Sequence, residues 1–307
     1  MSLSVIIPVY RSEEMLDELV SRIVAVMMEL GCNYEIILVD DASPDGSWEV
    51  MRKLRSENPC VKIIQHMRNF GQHRAILCGA RYVEGDLVIT MDDDLQHPPE
   101  EIPKLIEAIR NDDEADVIIG VYDVKHHSWF RNSGSRAVNR ITSYVFGIDP
   151  RLRLTSFRIM RRCVVEELVN IRSCSPRIDQ LLMSITRRIK NAPVVHQPRE
   201  HGRSGYSFAH LVGDALDNIL NNSSLPLQIV SYLGFGSSVL SFLLTLWYLY
   251  KFFFVGIAVA GWTTIVLLLL FFCGVLLFSF GIVGEYLIRI LREVQGKPSS
   301  IVRKIEL

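Results

Sequence analysis

Leu87-Val88-Ile89-Thr90-Met91, running into Asp92-Asp93-Asp94-Leu95-Gln96-His97-Pro98-Pro99-Glu100, is the stretch on which the reading of this chain turns. The first five residues form an apolar, β-branched run suited to a strand buried on both faces. Three consecutive carboxylates then repel one another at its end, which is costly unless water or a cation opposes them. On an extended backbone Asp92 and Asp94 share a side, and Gln96 follows on it. Hard oxygen ligands in that pattern suit Mg²⁺ or Mn²⁺, which commonly take one or two carboxylates plus phosphate oxygens. An acidic run out of context is as often a solvated surface loop, so the surrounding pattern decides.

Outward from this segment, residues 1–120 alternate short β-branched runs with longer amphipathic ones, as βαβ units do. Strands are predicted at Ser4–Val9, Glu35–Val39, Val61–Gln65, Leu87–Met91 and Val117–Gly120, with helices at about 13–29, 47–57, 72–83 and 99–111. The pattern resembles a doubly wound, mostly parallel sheet, whose ligands gather at the carboxyl ends of the strands. Those ends are polar here: Pro8-Val9-Tyr10, Asp40-Asp41-Ala42-Ser43 and the Asp92 segment. The first strand is followed by Val9-Tyr10-Arg11-Ser12-Glu13-Glu14 instead of G-x-G-x-x-G, which argues against a dehydrogenase.

Net charge is −1, so a general attraction to nucleic acid is excluded and none is expected as a partner. The six cysteines show no C-x-x-C pair or zinc-ligand spacing, and read as ordinary thiols of a reducing compartment. The first residues lead straight into a strand with no signal-peptide pattern, which places the first domain in the cytoplasm. From Leu225 to Gly284 the only formal charge is Lys251, and two lengths near 227–250 and 262–284 each suffice to span a bilayer. Cations follow the second length and are missing from the turn, so both ends of a transmembrane hairpin are expected on the cytoplasmic side. The expected organisation is a catalytic domain over 1–206, an amphipathic juxtamembrane helix over 207–224, two membrane helices within 225–288 and a basic tail over 289–307. Self-association is left open.

Asp40 and Asp41 can accept hydrogen bonds from a base or ribose, although Ser43, Asp45 and Gly46 also suit a helix-capping turn. Pro8 and Tyr10 offer an apolar edge. Arg68-Asn69-Phe70-Gly71 lies between a strand and a helix, where phosphate is favoured. Together these segments resemble family 2 of the inverting glycosyltransferases, with its glycosyltransferase A fold, and most closely its polyprenyl-phosphate branch. The matching motifs are D-D-x-S at Asp40–Ser43, R-N-x-G at Arg68–Gly71 and D-x-D-L-Q-x-P-P-E at Asp92–Glu100. The likeness covers essentially the whole chain.

That resemblance implies transfer of a sugar from a nucleotide diphosphate to a polyprenyl phosphate at a membrane. It assigns Pro8, Tyr10, Asp40, Asp41, Asn69, Asp92 and Asp93 to the nucleotide sugar, and Asp92, Asp94 and Gln96 to the metal. The lipid phosphate falls to Arg131, Ser135, Arg199, Arg203 and Ser204, with Asp94 and Arg131 carrying catalysis, and the Arg158 guanidinium is a further candidate for phosphate. The chain departs from the family at Arg11-Ser12, where Asn-Glu is usual, and at Gly205, where lysine is usual. It also lacks the carboxylate expected before Phe157-Arg158, but a phosphate acceptor is already ionised and needs no base. A processive polysaccharide synthase would carry Q-x-x-R-W, which this chain lacks. A catalytically silent, nucleotide-sugar-binding scaffold is the rival of another class.

Overall fold

The computed structural model describes residues 2–122, 152–171, 173, 176–195, 261–294 and 300–307, with positions 232, 236, 243, 247, 250 and 254. The chain divides into two compact units, one formed by 1–204 with 296–307 and the other by 205–295.

The first unit is built on a sheet of eight strands among the described residues: β1 (Ser2–Val9), β2 (Asn33–Asp40), β3 (Val61–His66), β4 (Leu87–Thr90), β5 (Val117–Val121), β6 (Arg158–Arg161), β7 (Ile189–Pro193) and β8 (Val302–Glu306). Their order is β7-β5-β6-β4-β1-β2-β3-β8. Neighbours from β4 through β1 and β2 to β3 are parallel, β6 runs antiparallel between β4 and β5, and β8 is antiparallel on β3. The central strands read as unbroken apolar runs because helices cover both faces. Leu3, Val5, Ile7 and Val9 of β1 face the core under α1 (Leu16–Leu30), α2 (Ser47–Glu57) and α4 (Ile102–Arg110). Ile6, with Ile37 and Val39 of β2, faces the other core, under α3 (Gln72–Gly79), α5 (Arg162–Asn170) and α6 (Ile178–Ile185).

Helix α1 shows why these elements form. Leu16, Leu19, Val20, Ile23, Val26 and Met27 are buried at helical spacing, each such side chain stabilising by about 1.5–3 kcal/mol when fully buried. The helix stops at Gly31, whose left-handed φ of 58° lets its N–H reach the Met28 carbonyl at 3.2 Å. Helix α3 lies so close to the sheet that a Cβ on Gly79 would meet Ile6 Cγ2 at 2.8 Å.

The five predicted strands are present with ends moved by one or two residues, and the helix predicted at 72–83 stops at Gly79, continuing as a 3₁₀ turn over Ala80–Tyr82. Strands β6, β7 and β8 are additions to the sequence reading. Residues 302–306, read as tail, instead complete one edge of the sheet.

In the second unit, α7 (Trp262–Val294) is 33 residues long, about 50 Å at 1.5 Å per residue. Counted over the described residues alone, no helix is long and apolar enough to cross a membrane. Several side chains of α7 fall outside that set, and of the described ones Ile265, Leu269, Phe280, Leu287 and Leu291 are exposed. The amphipathic segment at 207–224, and nearly all of the predicted span at 227–250, lie outside the described residues.

Candidate active site

Because β2 and β4 lie on opposite sides of β1, the chain reverses direction across the sheet there, and the carboxyl ends of these strands open one crevice. The loops lining it are stitched to one another by side chains. From the β1 loop, the Tyr10 N–H donates to Asp93 Oδ2 at 3.1 Å, the Ser12 hydroxyl donates to the same oxygen, and the Arg11 N–H donates to Ser43 Oγ at 3.2 Å. From the third loop, the Phe70 N–H donates to Asp41 Oδ1 at 2.8 Å and the Gly71 N–H to Asp41 Oδ2 at 2.6 Å. Asp92 is held from two sides, by the Gln72 amide at the start of α3 and by the Ser156 hydroxyl just before β6.

The backbone is bent to suit. Arg11, Ala42 and Leu95 have φ of 59°, 58° and 56°, and they are the only non-glycine residues with positive φ among the described residues. Each follows the end of β1, β2 or β4. Left-handed backbone is unfavourable for a residue with a Cβ, and such positions cluster at functional sites.

The three carboxylates diverge. Asp92 faces Gln72 and Ser156, Asp93 faces the β1 loop, and Asp94 accepts the Gln96 N–H at 3.2 Å. Among the described residues no three His, Cys, Asp or Glu side chains converge as a preformed metal cage. Removal from water, countered by the Ser156 hydrogen bond and reinforced by Asp94 and Asp93, pushes Asp92 up to about 6. Asp93 is raised too, chiefly by burial. Asp93 Oδ2 spends both lone pairs on the β1 loop, whereas each bonded oxygen of Asp92 and the bonded oxygen of Asp94 accept one of these hydrogen bonds and keep a second lone pair for a hard cation. The donor set therefore fits Mg²⁺ or Mn²⁺ that draws its remaining ligands from a phosphate.

The predicted nucleotide residues divide in two. Tyr10 and Asn69 are exposed, the former with the Arg11 guanidinium 5.3 Å over its ring. Pro8, Asp40 and Asp41 are buried. Asp40 accepts the Ser43 N–H at 2.8 Å and the Gln65 amide at 3.0 Å, while Asp41 lies 2.8 Å from His66 Nδ1 in addition to its two backbone donors. Burial opposes the charge on Asp41, yet His66 and the two N–H groups hold its carboxyl below the ordinary range. Arg131, Ser135, Arg199, Arg203 and Ser204 lie outside the described residues.

Arg158, which the sequence offered as a further phosphate ligand, is buried and paired with Asp179 of α6 at 2.6 Å. His73 stands near this pair, and burial, eased by Asp179 and reinforced by Arg158 and Arg177, holds its imidazole below the usual value. Ser156, Gln72 and Asp179 were not singled out from the sequence. The one available signal was the position of Thr155-Ser156-Phe157-Arg158, read there only for its missing acid.

Comparison with known proteins places the chain in a family. The family described as glycosyl transferase family 2 matches residues 4–183. An undecaprenyl-phosphate 4-deoxy-4-formamido-L-arabinose transferase from Edwardsiella ictaluri is 34% identical over 316 residues, covering 98% of this chain and 93% of the relative. One of the same name from Pseudomonas paraeruginosa is 36% identical, covering 98% and 89%. Among solved structures, glucosyl-3-phosphoglycerate synthase from Mycobacterium tuberculosis, in complex with Mn²⁺, uridine diphosphate and phosphoglyceric acid, aligns at a TM-score of 0.50 with 15% identity, over 71% of this chain and 76% of that one. That last likeness is one of fold, a glycosyltransferase A-like α/β arrangement. By the extent of the family match and of its full-length relatives, the chain belongs to glycosyl transferase family 2.

Proposed function

We propose that the protein transfers a sugar from a nucleotide diphosphate to undecaprenyl phosphate, with inversion at the anomeric carbon. The observation that carries the reading is the acidic end of β4, fixed by Gln72 and Ser156 at the switch point of the sheet, in a chain whose relatives over 98% of its length are named undecaprenyl-phosphate 4-deoxy-4-formamido-L-arabinose transferases.

In the reaction, a lipid-phosphate oxygen attacks the anomeric carbon, and the bond to the nucleoside diphosphate breaks in line, the departing oxygen keeping the electron pair. The acceptor is ionised at neutral pH, its second pKa being about 6, so attack requires no base. The work left to the protein is placement and charge. Tyr10 and Asn69 face the nucleotide, and Arg131 and Arg199, with Ser135, Arg203 and Ser204, hold the acceptor phosphate. Asp92, Asp94 and Gln96 would hold Mg²⁺ or Mn²⁺, which when bound neutralises charge on the leaving diphosphate.

Acting on a lipid requires attachment to its membrane. The charge-free 262–284 stretch, the helix that contains it and the exposed apolar side chains along α7 support a membrane helix there. With a second helix near 227–250, the hairpin keeps both the catalytic domain and the basic segment after it in the cytoplasm.

The test incubates detergent-purified protein with Mn²⁺, undecaprenyl phosphate and a panel of nucleotide sugars, reading the lipid product by mass and its anomeric configuration by NMR. One donor giving an inverted lipid-linked sugar, lost on chelation and restored by Mn²⁺, is the expected result. A retained configuration overturns the displacement, undiminished turnover in chelator overturns the metal, and donor binding without product favours a silent scaffold.

A further inference from the structure

His66 and Asp41 form an imidazole–carboxylate pair shut away from solvent, with side chains 0% and 4% exposed and Nδ1 2.8 Å from Oδ1. A buried ion pair is weak ground for stability alone, because desolvation opposes the attraction between its members. Its partners point to another use. Asp41 is anchored from behind by its own N–H on the Val9 carbonyl at 2.9 Å, and its two oxygens receive the N–H groups of Phe70 and Gly71. The His66 ring meets the edge of Phe70, centroids 5.4 Å apart, and the Arg68 guanidinium lies 4.8 Å over the same phenyl ring. Gly71 turns the chain with φ of 92°, and the next residue, Gln72, donates to Asp92.

A continuous series of contacts therefore leads from the end of β2, through the loop after β3, to the carboxylate that ends β4. We propose that His66 is a positioning residue for the transfer reaction: paired with Asp41, it fixes the Arg68–Gln72 loop so that Arg68 and Asn69 face the donor nucleotide while Gln72 orients Asp92. The inference rests on the transfer reading for its consequence, but the loop clamp itself does not depend on it. His66 touches neither donor nor acceptor on this account. A neutral side chain that preserves a donor at the Nδ1 position retains part of the function, because the geometry needs a donor and the charge strengthens it.

The experiment compares full-length wild type with His66→Ala, His66→Asn and Asp41→Asn. It follows peptide-level hydrogen exchange over residues 66–75, calorimetric binding of UDP and of GDP with Mn²⁺ present, and KM for donor and for acceptor separately. His66→Ala is expected to speed exchange in that peptide at least tenfold and to raise donor Kd and KM about tenfold. Acceptor KM stays within twofold, and His66→Asn falls between wild type and His66→Ala. If His66→Ala does not fold, the volume-matched Asp41→Asn is read the same way. Wild-type exchange and wild-type donor affinity in a folded His66→Ala, or in Asp41→Asn where the first is unfolded, overturn the proposal, as does an equal rise in donor and acceptor KM. Wild type that binds neither nucleotide, while the variants still loosen the peptide, removes the transfer reading and leaves the clamp standing.

Discussion

The two ends of the central sheet both contain recessed carboxylates, and they treat them in opposite ways. At the amino end, Glu35 on β2 pairs with Lys62 at 2.6 Å, accepts the Ser4 hydroxyl and accepts the Glu84 N–H at 2.6 Å. The Gly85 N–H completes the group by donating to Ser4 Oγ at 2.9 Å, and a Cβ on Gly85 would stand 2.7 Å from the Ser4 nitrogen. At the carboxyl end, Asp92 and Asp93 form no ion pair among the described residues, their protons are held more tightly than usual, and the loops beside them contain every left-handed non-glycine residue described. The first end is closed by its own cation. The second carries negative charge that the protein leaves for a ligand to neutralise.

Substitution at each end separates the two roles. Asp94→Asn is expected to lower turnover by about a thousandfold or more, some 4 kcal/mol of barrier, with the melting temperature unchanged. Wild-type turnover would erase the functional half of the contrast. Glu35→Ala should do the reverse, destabilising by roughly 1–3 kcal/mol because the Ser4 hydroxyl and the Glu84 N–H lose their acceptor while Lys62 keeps Glu84 at 2.7 Å, and turnover per folded molecule persists; denaturant unfolding and specific activity measure the two together.

Proton linkage sharpens the picture at the carboxyl end. Burial lowers the affinity of His66 for a proton, but Asp41 and Cys78 outweigh it, and its pKa rises to about 9. A raised imidazole contributes stability that is complete below its unfolded value near 6.5 and disappears as pH climbs through about 9. A loss of roughly 2–3 kcal/mol across that interval, absent in His66→Asn, is expected in unfolding titrations. For Asp92, also raised, the linkage of interest is to a cation: with its carboxyl near 6, the proton competes with the cation below that pH. Mn²⁺ affinity by calorimetry should rise about tenfold per unit up to pH 6 and then level, beyond any change in Asp92→Asn. The smallest effect is expected from Ala42→Gly, which removes the clash of a Cβ at φ 58° and should stabilise by up to about 1 kcal/mol, read as a small rise in melting temperature.

Much of the same contrast explains what was legible in the sequence. Strands β1 to β5 stand out because a parallel strand covered on both faces has almost no polar residue to interrupt it. Strand β6 is only Arg158-Ile159-Met160-Arg161, and its first arginine looks like a phosphate ligand until the structure shows Asp179 opposite it. Ile189-Lys190-Asn191-Ala192-Pro193 of β7 lies at a sheet edge, where polar residues and a proline are tolerated and no alternation is imposed. Val302–Glu306 follows a long apolar region and contains Arg303 and Lys304, so charge hid a strand whose partner lies far away in sequence. At the site, the aspartates were visible as a motif. Ser156, Gln72 and His66 were not, since a serine, a glutamine or a histidine acquires meaning only from the carboxylate it meets.

Strand β8 also sets an order of events during synthesis. Val302 pairs with His66, and the Ile301 carbonyl accepts the Met67 N–H at 2.9 Å, so β3 and the start of its loop await residues translated after the whole helical unit. At ordinary ribosomal rates that interval is on the order of ten seconds or more, during which the outer edge of β3 presents unpaired backbone groups to solvent. The nascent sheet thus has a waiting period written into its connectivity, and a chaperone or an early-folding neighbour has that long to guard the open edge.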